Sequence, residues 1–244
     1  MNKMSELRER VIVEDYELTG ITETWATESV NDAELSMEGY NMFRKDRGTR
    51  GGGLILYIKN NLRARINEDL TNSEFAESLW CDVEADRQRA LIGLCYRSPT
   101  STTENDENLL SVMEKAVLRT AANHILIMGD FNFPEIDYAS ESVVGRDTEP
   151  PAMFLFKTQE LCLSQHVKDA TRIRQNQTPT TLDYIFTEEE NLIETINYEV
   201  PLGKSDHVVL TWKLLLATSS VPSNQVKYNN TIKGTIAVSR VVCR

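Results

Sequence analysis

The segment His124–Asn132, HILIMGDFN, constrains this chain more than any other. Ile125, Leu126, Ile127 and Met128 form an unbroken apolar run of strand length, the pattern of a strand buried on both faces. Gly129 is predicted to let the chain turn out of the sheet. Asp130 and Asn132 then emerge beyond its carboxyl end, where α/β proteins commonly build sites. A strand followed by an ordinary Asp/Asn turn has the same letters, so the segment needs partners elsewhere in the chain before it implies chemistry.

With 244 residues and 41% hydrophobic content, the chain is long enough to bury a substantial core, and we expect one domain over residues 1–216. Residues 217–244 begin Ser/Asn/Pro-rich and are expected to be a tail or linker, although Thr231 to Val242 is β-branched enough for a strand. No apolar stretch reaches membrane-spanning length and the polar N-terminus is no signal peptide. An intracellular protein is expected, in the nucleus or outside it, and not a secreted one. Cys81, Cys95, Cys162 and Cys243 lie far apart with no zinc-ligand spacing, so they are expected as reduced core thiols. The net charge of −11 excludes a protein that coats nucleic acid by bulk electrostatics. Arg44, Lys45, Arg47, Arg50, Lys59, Arg63 and Arg65, against the lone acid Asp46, predict a local positive surface, to which Arg172 and Arg174 add.

Met4, Leu7 and Val11 recur at helical spacing ahead of a strand from Tyr16 to Ile21. Tyr40 to Phe43, Leu54 to Ile58 after the glycine triplet, the alternation Leu79, Cys81, Val83, and Ala90 to Tyr96 read as further strands, the middle ones as an antiparallel meander. Thr103 and Asp106 resemble a capping box opening a helix that carries Leu109, Leu110, Met113, Ala116 and Val117. A second helix is predicted from Pro150, burying Phe154, Leu155, Leu161 and Cys162. Strands are then expected within Thr180 to Phe186, Ile193 to Val200 and His207 to Leu215. Helices scattered among more numerous strands predict an α/β fold with two packed sheets covered by helices on their outer faces.

Four more segments put polar residues where core segments meet turns: Thr22-Glu23-Thr24-Trp25, Tyr96-Arg97-Ser98-Pro99, Leu182-Asp183-Tyr184 and Ser205-Asp206-His207. Taken singly each is ordinary: a surface acid, a core phenol, a strand-edge acid, a turn. Together they supply what hydrolysis of a phosphodiester requires. Glu23 is a hard oxygen ligand suited to Mg²⁺, with Asp206 a second. His207 can contact the phosphate with its tautomer fixed by Asp183. Asp130 is expected to activate or orient the attacking water and Asn132 to hold the water or the phosphate. Tyr96 is expected to donate to the phosphate or the leaving oxygen.

These segments, in order with GGG before LILYIK, CYRSP, MGDFN, ATR at Ala170 to Arg172, LDYIF and SDH, resemble the endonuclease domain of non-LTR retrotransposons, the jockey-like and related LINE elements. That domain lies in the endonuclease/exonuclease/phosphatase superfamily with apurinic endonucleases and DNase I. The resemblance implies a four-layer α/β/β/α sandwich and a Mg²⁺-dependent DNA endonuclease, with Mn²⁺ able to substitute, that nicks a target site. It also implies the roles above for Glu23, Tyr96, Asp130, Asn132, Asp183, Asp206 and His207. DNA contacts are expected from Arg50, Arg97, Thr171 and Arg172. A reverse transcriptase domain is expected in the parent element, and this chain has no room for one. Family members begin with an Asn-containing strand upstream of the first helix. That strand is absent here, so one sheet is expected to lack a ladder of hydrogen bonds. The alternative expectation is therefore a truncated remnant, catalytically inactive, that binds nucleic acid or a partner.

Overall fold

A computed structural model describes residues 3–48, 51–85, 88–217 and 228–238. The chain runs α1 (Lys3–Glu14), β1 (Leu18–Thr22), α2 (Asp32–Leu35), β2 (Tyr40–Lys45), β3 (Leu54–Lys59), β4 (Arg63–Ile66), α3 (Glu68–Thr71), β5 (Ser78–Ala85), β6 (Gln88–Tyr96) and α4 (Thr103–Arg119). It continues β7 (His124–Asp130), β8 (Ile136–Asp137), β9 (Ser142–Val143), α5 (Pro150–Glu160), β10 (Ser164–Gln165), β11 (Asp183–Thr187), β12 (Ile193–Glu199), β13 (Val209–Ala217) and β14 (Tyr228–Val238), with a 3₁₀ turn before β12.

The strands form two six-stranded sheets, ordered β12-β13-β14-β1-β3-β2 and β10-β11-β7-β6-β5-β4, and a small β8-β9 hairpin. Three apolar layers hold four structural layers together. Alternate residues of both sheets, among them Leu18, Leu56, Leu94, Met128, Ile185, Trp212 and Ile236, pack between the sheets. Met4, Leu7 and Val11 of α1 close the outer face of the first sheet over Ile21, Tyr57 and Ala237. Leu109, Val112, Met113 and Ala116 of α4, with Phe154 and Leu155 of α5, close the second over Leu91, Ile127 and Phe186. The helical spacings read from the sequence therefore mark the buried stripes of α1 and α4, and the α/β/β/α sandwich is the observed architecture.

Several details differ from expectation. The ladder expected to be missing is present: β14 lies between β13 and β1, antiparallel to the first and parallel to the second, with Leu18 opposite Gly234 and Thr22 opposite Val238. Part of the segment read as a tail is therefore a strand of the first sheet. Gly129 does not end its strand. β7 runs on through Asp130, and a Cβ at Gly129 would lie 1.8 Å from the Cys95 carbonyl oxygen, so glycine is there for close approach. The α4 cap is Thr102, whose hydroxyl accepts from Asn105 N–H, one residue before the predicted box. Cys81 and Cys95 are buried free thiols, whereas Cys162 is exposed just past α5, and Cys243 lies outside the described residues. No helix among the described residues is long and apolar enough to cross a membrane.

Candidate active site

Three site residues are set side by side by strand register. Asp130 at the end of β7 lies opposite Tyr96 of β6 in the parallel direction and opposite Asp183 of β11 in the antiparallel one. Residues opposite one another share a face, and two positions earlier along that face Leu94, Met128 and Ile185 are packed between the sheets. The row Tyr96, Asp130, Asp183 is thus the polar continuation of the inter-sheet core. Glu23 enters from the first sheet, directly after β1, with φ +55°, a left-handed backbone that residues with a Cβ adopt only when held. The Tyr96 hydroxyl donates to Glu23 Oε1 at 2.5 Å and so links the two sheets at this end.

Asp130, Asp183 and His207 are buried together, with ligand atoms all within 4.8 Å of one another. His207 Nδ1 and Asp183 Oδ2 are 2.8 Å apart, which leaves Nε2 as the other donor of the ring. Burial pulls the imidazole down, but the charge and hydrogen bond of Asp183, with Asp130 and Asp206, outweigh it and push His207 up to about 9. Burial, followed by the charge of Asp183, raises Asp130 well above the usual carboxylate range, against the pull of His207. Asn132, at φ +51°, donates its side-chain amide to the Arg97 carbonyl at 2.8 Å and its backbone N–H to Asp130 Oδ1 at 3.2 Å. Burial and the bond to Glu23 raise the Tyr96 phenol and keep it a donor.

Glu23, Asp130, Asn132, Asp206 and His207 open onto one cleft of about 570 Å³, whose rim includes Lys3, Arg172, Arg174 and Lys204. Asp206 lines it but does not join the Asp130 group: its Oδ2 accepts from Arg172 Nε at 2.8 Å and from Arg174. These contacts lower its carboxyl despite partial burial. The donor set fits a divalent cation. Asp183 Oδ1 is buried with no hydrogen-bond partner among the described residues, and the charges of Asp183 and Glu23 both press on Asp130, a crowding of carboxylates that a hard cation relieves.

Two of the residues expected to contact DNA are buried and bonded within the protein. Arg97 is 7% exposed. Its guanidinium makes a two-point bond to Asp106 of α4 at 2.7 and 2.9 Å, donates to the Asn132 carbonyl at 3.0 Å and lies 3.9 Å over the Phe133 ring. Thr171 is fully buried and its hydroxyl accepts from the backbone N–H groups of Leu182 and Asp183, which fixes the start of β11. Arg172 does line the cleft, and Arg50 lies outside the described residues. The positive surface expected between Asn41 and Arg65 is largely cancelled. Arg44 pairs with Asp32 and Asp46, Arg47 with Glu77, Lys59 with Asp15, Arg63 with Glu84 and Arg65 with Asp82, while Lys45 is spent on carbonyls of Thr71 and Ser78. Sequence reading missed Lys204 and Lys3 as rim residues. Arg174 was read with Arg172 as part of a positive surface, and neither lysine carried a signal.

Among solved structures, the endonuclease domain of TRAS1, a telomere-specific non-LTR retrotransposon, matches with TM-score 0.63 at 15% identity over 85% of this chain and 89% of that one. A Neisseria 3′ phosphatase, NExo, bound to a product DNA hairpin, matches with TM-score 0.62 at 10% identity over 87% and 94%. An endonuclease/exonuclease/phosphatase family protein from Leptotrichia buccalis matches with TM-score 0.58 at 13% identity over 88% and 93%. No curated protein sequence matches. The family described as endonuclease-reverse transcriptase matches residues 90–211, the half of the chain that carries Tyr96, Asp130, Asn132, Asp183, Asp206 and His207. By that match the chain belongs to the endonuclease-reverse transcriptase family, and its fold is that of the endonuclease/exonuclease/phosphatase superfamily.

Proposed function

We propose that this protein is a Mg²⁺-dependent DNA endonuclease that nicks its target by hydrolysing one phosphodiester. The observation that carries the reading is the convergence of Glu23, Asp130, Asn132 and His207 on a single cleft rimmed by cationic side chains. Glu23 is the residue that would hold Mg²⁺, which supplies Lewis-acid stabilisation of the charge that develops on the phosphoryl oxygens. Asp130, made more basic by burial and by Asp183, takes the proton of the attacking water as its oxygen bonds to phosphorus, the opposite P–O bond breaks, and the leaving alkoxide takes a proton from solvent water. Asn132 keeps Asp130 in place through its backbone N–H. His207, protonated at neutral pH, donates from Nε2 to a phosphoryl oxygen, and Asp183 fixes its orientation and charge. Tyr96 holds Glu23. Asp206, expected as a second metal ligand, is given a different task, the orientation of Arg172 and Arg174 toward the phosphates of bound DNA. The DNA-bound relative NExo supports this choice of substrate.

Purified protein is expected to convert supercoiled plasmid to the nicked circle in Mg²⁺, and to stop when the ion is chelated. Asp130→Asn and His207→Ala are each expected to slow nicking by about 100-fold or more; undiminished nicking in both variants rejects the assignment. The engagement of Asp206 by both arginines favours one other reading, a fold that binds DNA without cutting it. Wild-type protein that retards DNA but leaves plasmid supercoiled in Mg²⁺ and in Mn²⁺ would select that one.

A further inference from the structure

Glu77, immediately before β5, bonds to Tyr96 directly and to the segment after Glu23 through the glycine loop. Its backbone carbonyl accepts from Tyr96 N–H at 2.9 Å. Its carboxylate reaches the other way: Oε2 accepts from Gly53 N–H at 3.1 Å, and Oε1 lies 3.5 Å from Arg47 Nε. The glycine loop that it grips in turn grips the residues after Glu23, through Thr24 N–H to the Gly53 carbonyl at 3.2 Å and Trp25 N–H to the Gly52 carbonyl at 2.9 Å.

Those bonds act where the backbone most needs holding. Glu23 and Trp25 both have left-handed φ, at +55° and +56°, and such residues persist only when the surroundings over-determine them. Gly52 shows how closely the carboxylate fits, since a Cβ there would sit 2.7 Å from Glu77 Oε2. Only 15% of the Glu77 side chain is exposed. A nearly buried carboxylate is costly, so its acceptor geometry toward Gly53 calls for a purpose other than packing.

We propose that Glu77 is a positioning residue for Glu23: its carboxylate clamps the Gly51–Gly53 loop, the loop holds the segment after β1 in its left-handed turn, and the turn aims the Glu23 carboxylate into the cleft beside Tyr96. The inference rests on the reading of Glu23 as the residue that holds the metal. The test is Mn²⁺ binding to the full DNA-free chain, followed by electron paramagnetic resonance, with circular dichroism to confirm folding. Glu23→Gln is expected to abolish tight binding, and Glu77→Ala to weaken it about tenfold, the scale for loss of a partner that orients a ligand. Glu77→Gln, whose amide oxygen still accepts from Gly53, is expected to keep wild-type affinity. Glu77→Asp retains the charge but withdraws it by one methylene, so it should weaken binding as Glu77→Ala does even if the alanine variant folds poorly. Wild-type affinity in both Glu77→Ala and Glu77→Asp, with binding lost in Glu23→Gln, overturns the positioning role alone. Wild-type affinity in Glu23→Gln overturns the reading of Glu23 itself, and the role of Glu77 with it.

Discussion

In the second sheet the strands that meet at the site, β6, β7 and β11, are set by central strands with continuous apolar runs, and α4 carries the chain from β6 to its parallel neighbour β7. In the first sheet the strand that delivers Glu23 is flanked by β3 on one side and, on the other, by β14 from the opposite end of the chain. The difference assigns the two halves of the site to two kinds of support. Tyr96, Asp130 and Asp183 are aligned by register within one sheet. Glu23 depends on a strand joined to the rest by long-range pairing, and on a loop clamp reaching across from the second sheet. The family match over residues 90–211 takes in β7, β10 and β11 and most of β6 from the second sheet, with β12 of the first, and leaves β4 and β5 outside it.

The contrast breaks most visibly at β14. Ile236 is 2% exposed and packs between the sheets. Ile236→Asp would bury an unpaired carboxylate there and is expected to destabilise the protein by about 4 kcal/mol, lowering the melting temperature by roughly 10 °C in a chain of this size. A melting temperature within the error of wild type would remove β14 from the first sheet.

The second sheet is sharpened by pH. His207 has a folded value of about 9 against the ordinary 6.5, through Asp183 after the opposing effect of burial. The folded state therefore binds this proton more tightly than the unfolded chain. Its contribution is full below about pH 6.5 and is lost as pH rises through 9, a change of roughly 3 kcal/mol. Denaturant titrations of wild type across that window should show the fall, and Asp183→Asn should flatten most of it. An equal slope in the variant would mean that Asp183 does not hold the imidazolium.

How much of this was legible in the sequence follows from the same division. The strand at Ile125–Met128 and the acids beyond it could be read because burial on both faces leaves an uninterrupted apolar run. The convergence of Glu23, Asp130 and His207 could be anticipated only from the inventory of chemical groups and the resemblance, since no local pattern encodes a contact across two sheets. The place of β14 was illegible for that reason: its β-branched residues declare a strand, but register with Leu18–Thr22 is a tertiary fact. The burial of Arg97 and Thr171 was illegible because their partners, Asp106 on α4 and the N–H groups of Leu182 and Asp183, lie on other elements, and a buried arginine has the same letter as an exposed one. Glu77 gave no signal at all, being one acid before a strand.

The smallest expected effect compares the sheets at equivalent places. Each carries a buried tryptophan lying over a glycine of the neighbouring strand, Trp80 over Gly93 in the second sheet and Trp212 over Gly234 in the first. A Cβ would meet the ring at 2.3 Å at Gly93 and at 2.7 Å at Gly234, so both Gly→Ala variants force an indole to move. Overpacking of this kind costs about 1–3 kcal/mol, offset by up to about 1 kcal/mol from the stiffer unfolded chain. The closer approach and the packing of Trp80 among the α4 and α5 residues put Gly93→Ala at the upper end of that range and Gly234→Ala at the lower. Urea titrations of the two variants measure the order directly. If Gly234→Ala is the more damaging, the first sheet is packed as rigidly around β14 as the second is around β6, and the contrast between the two kinds of support fails.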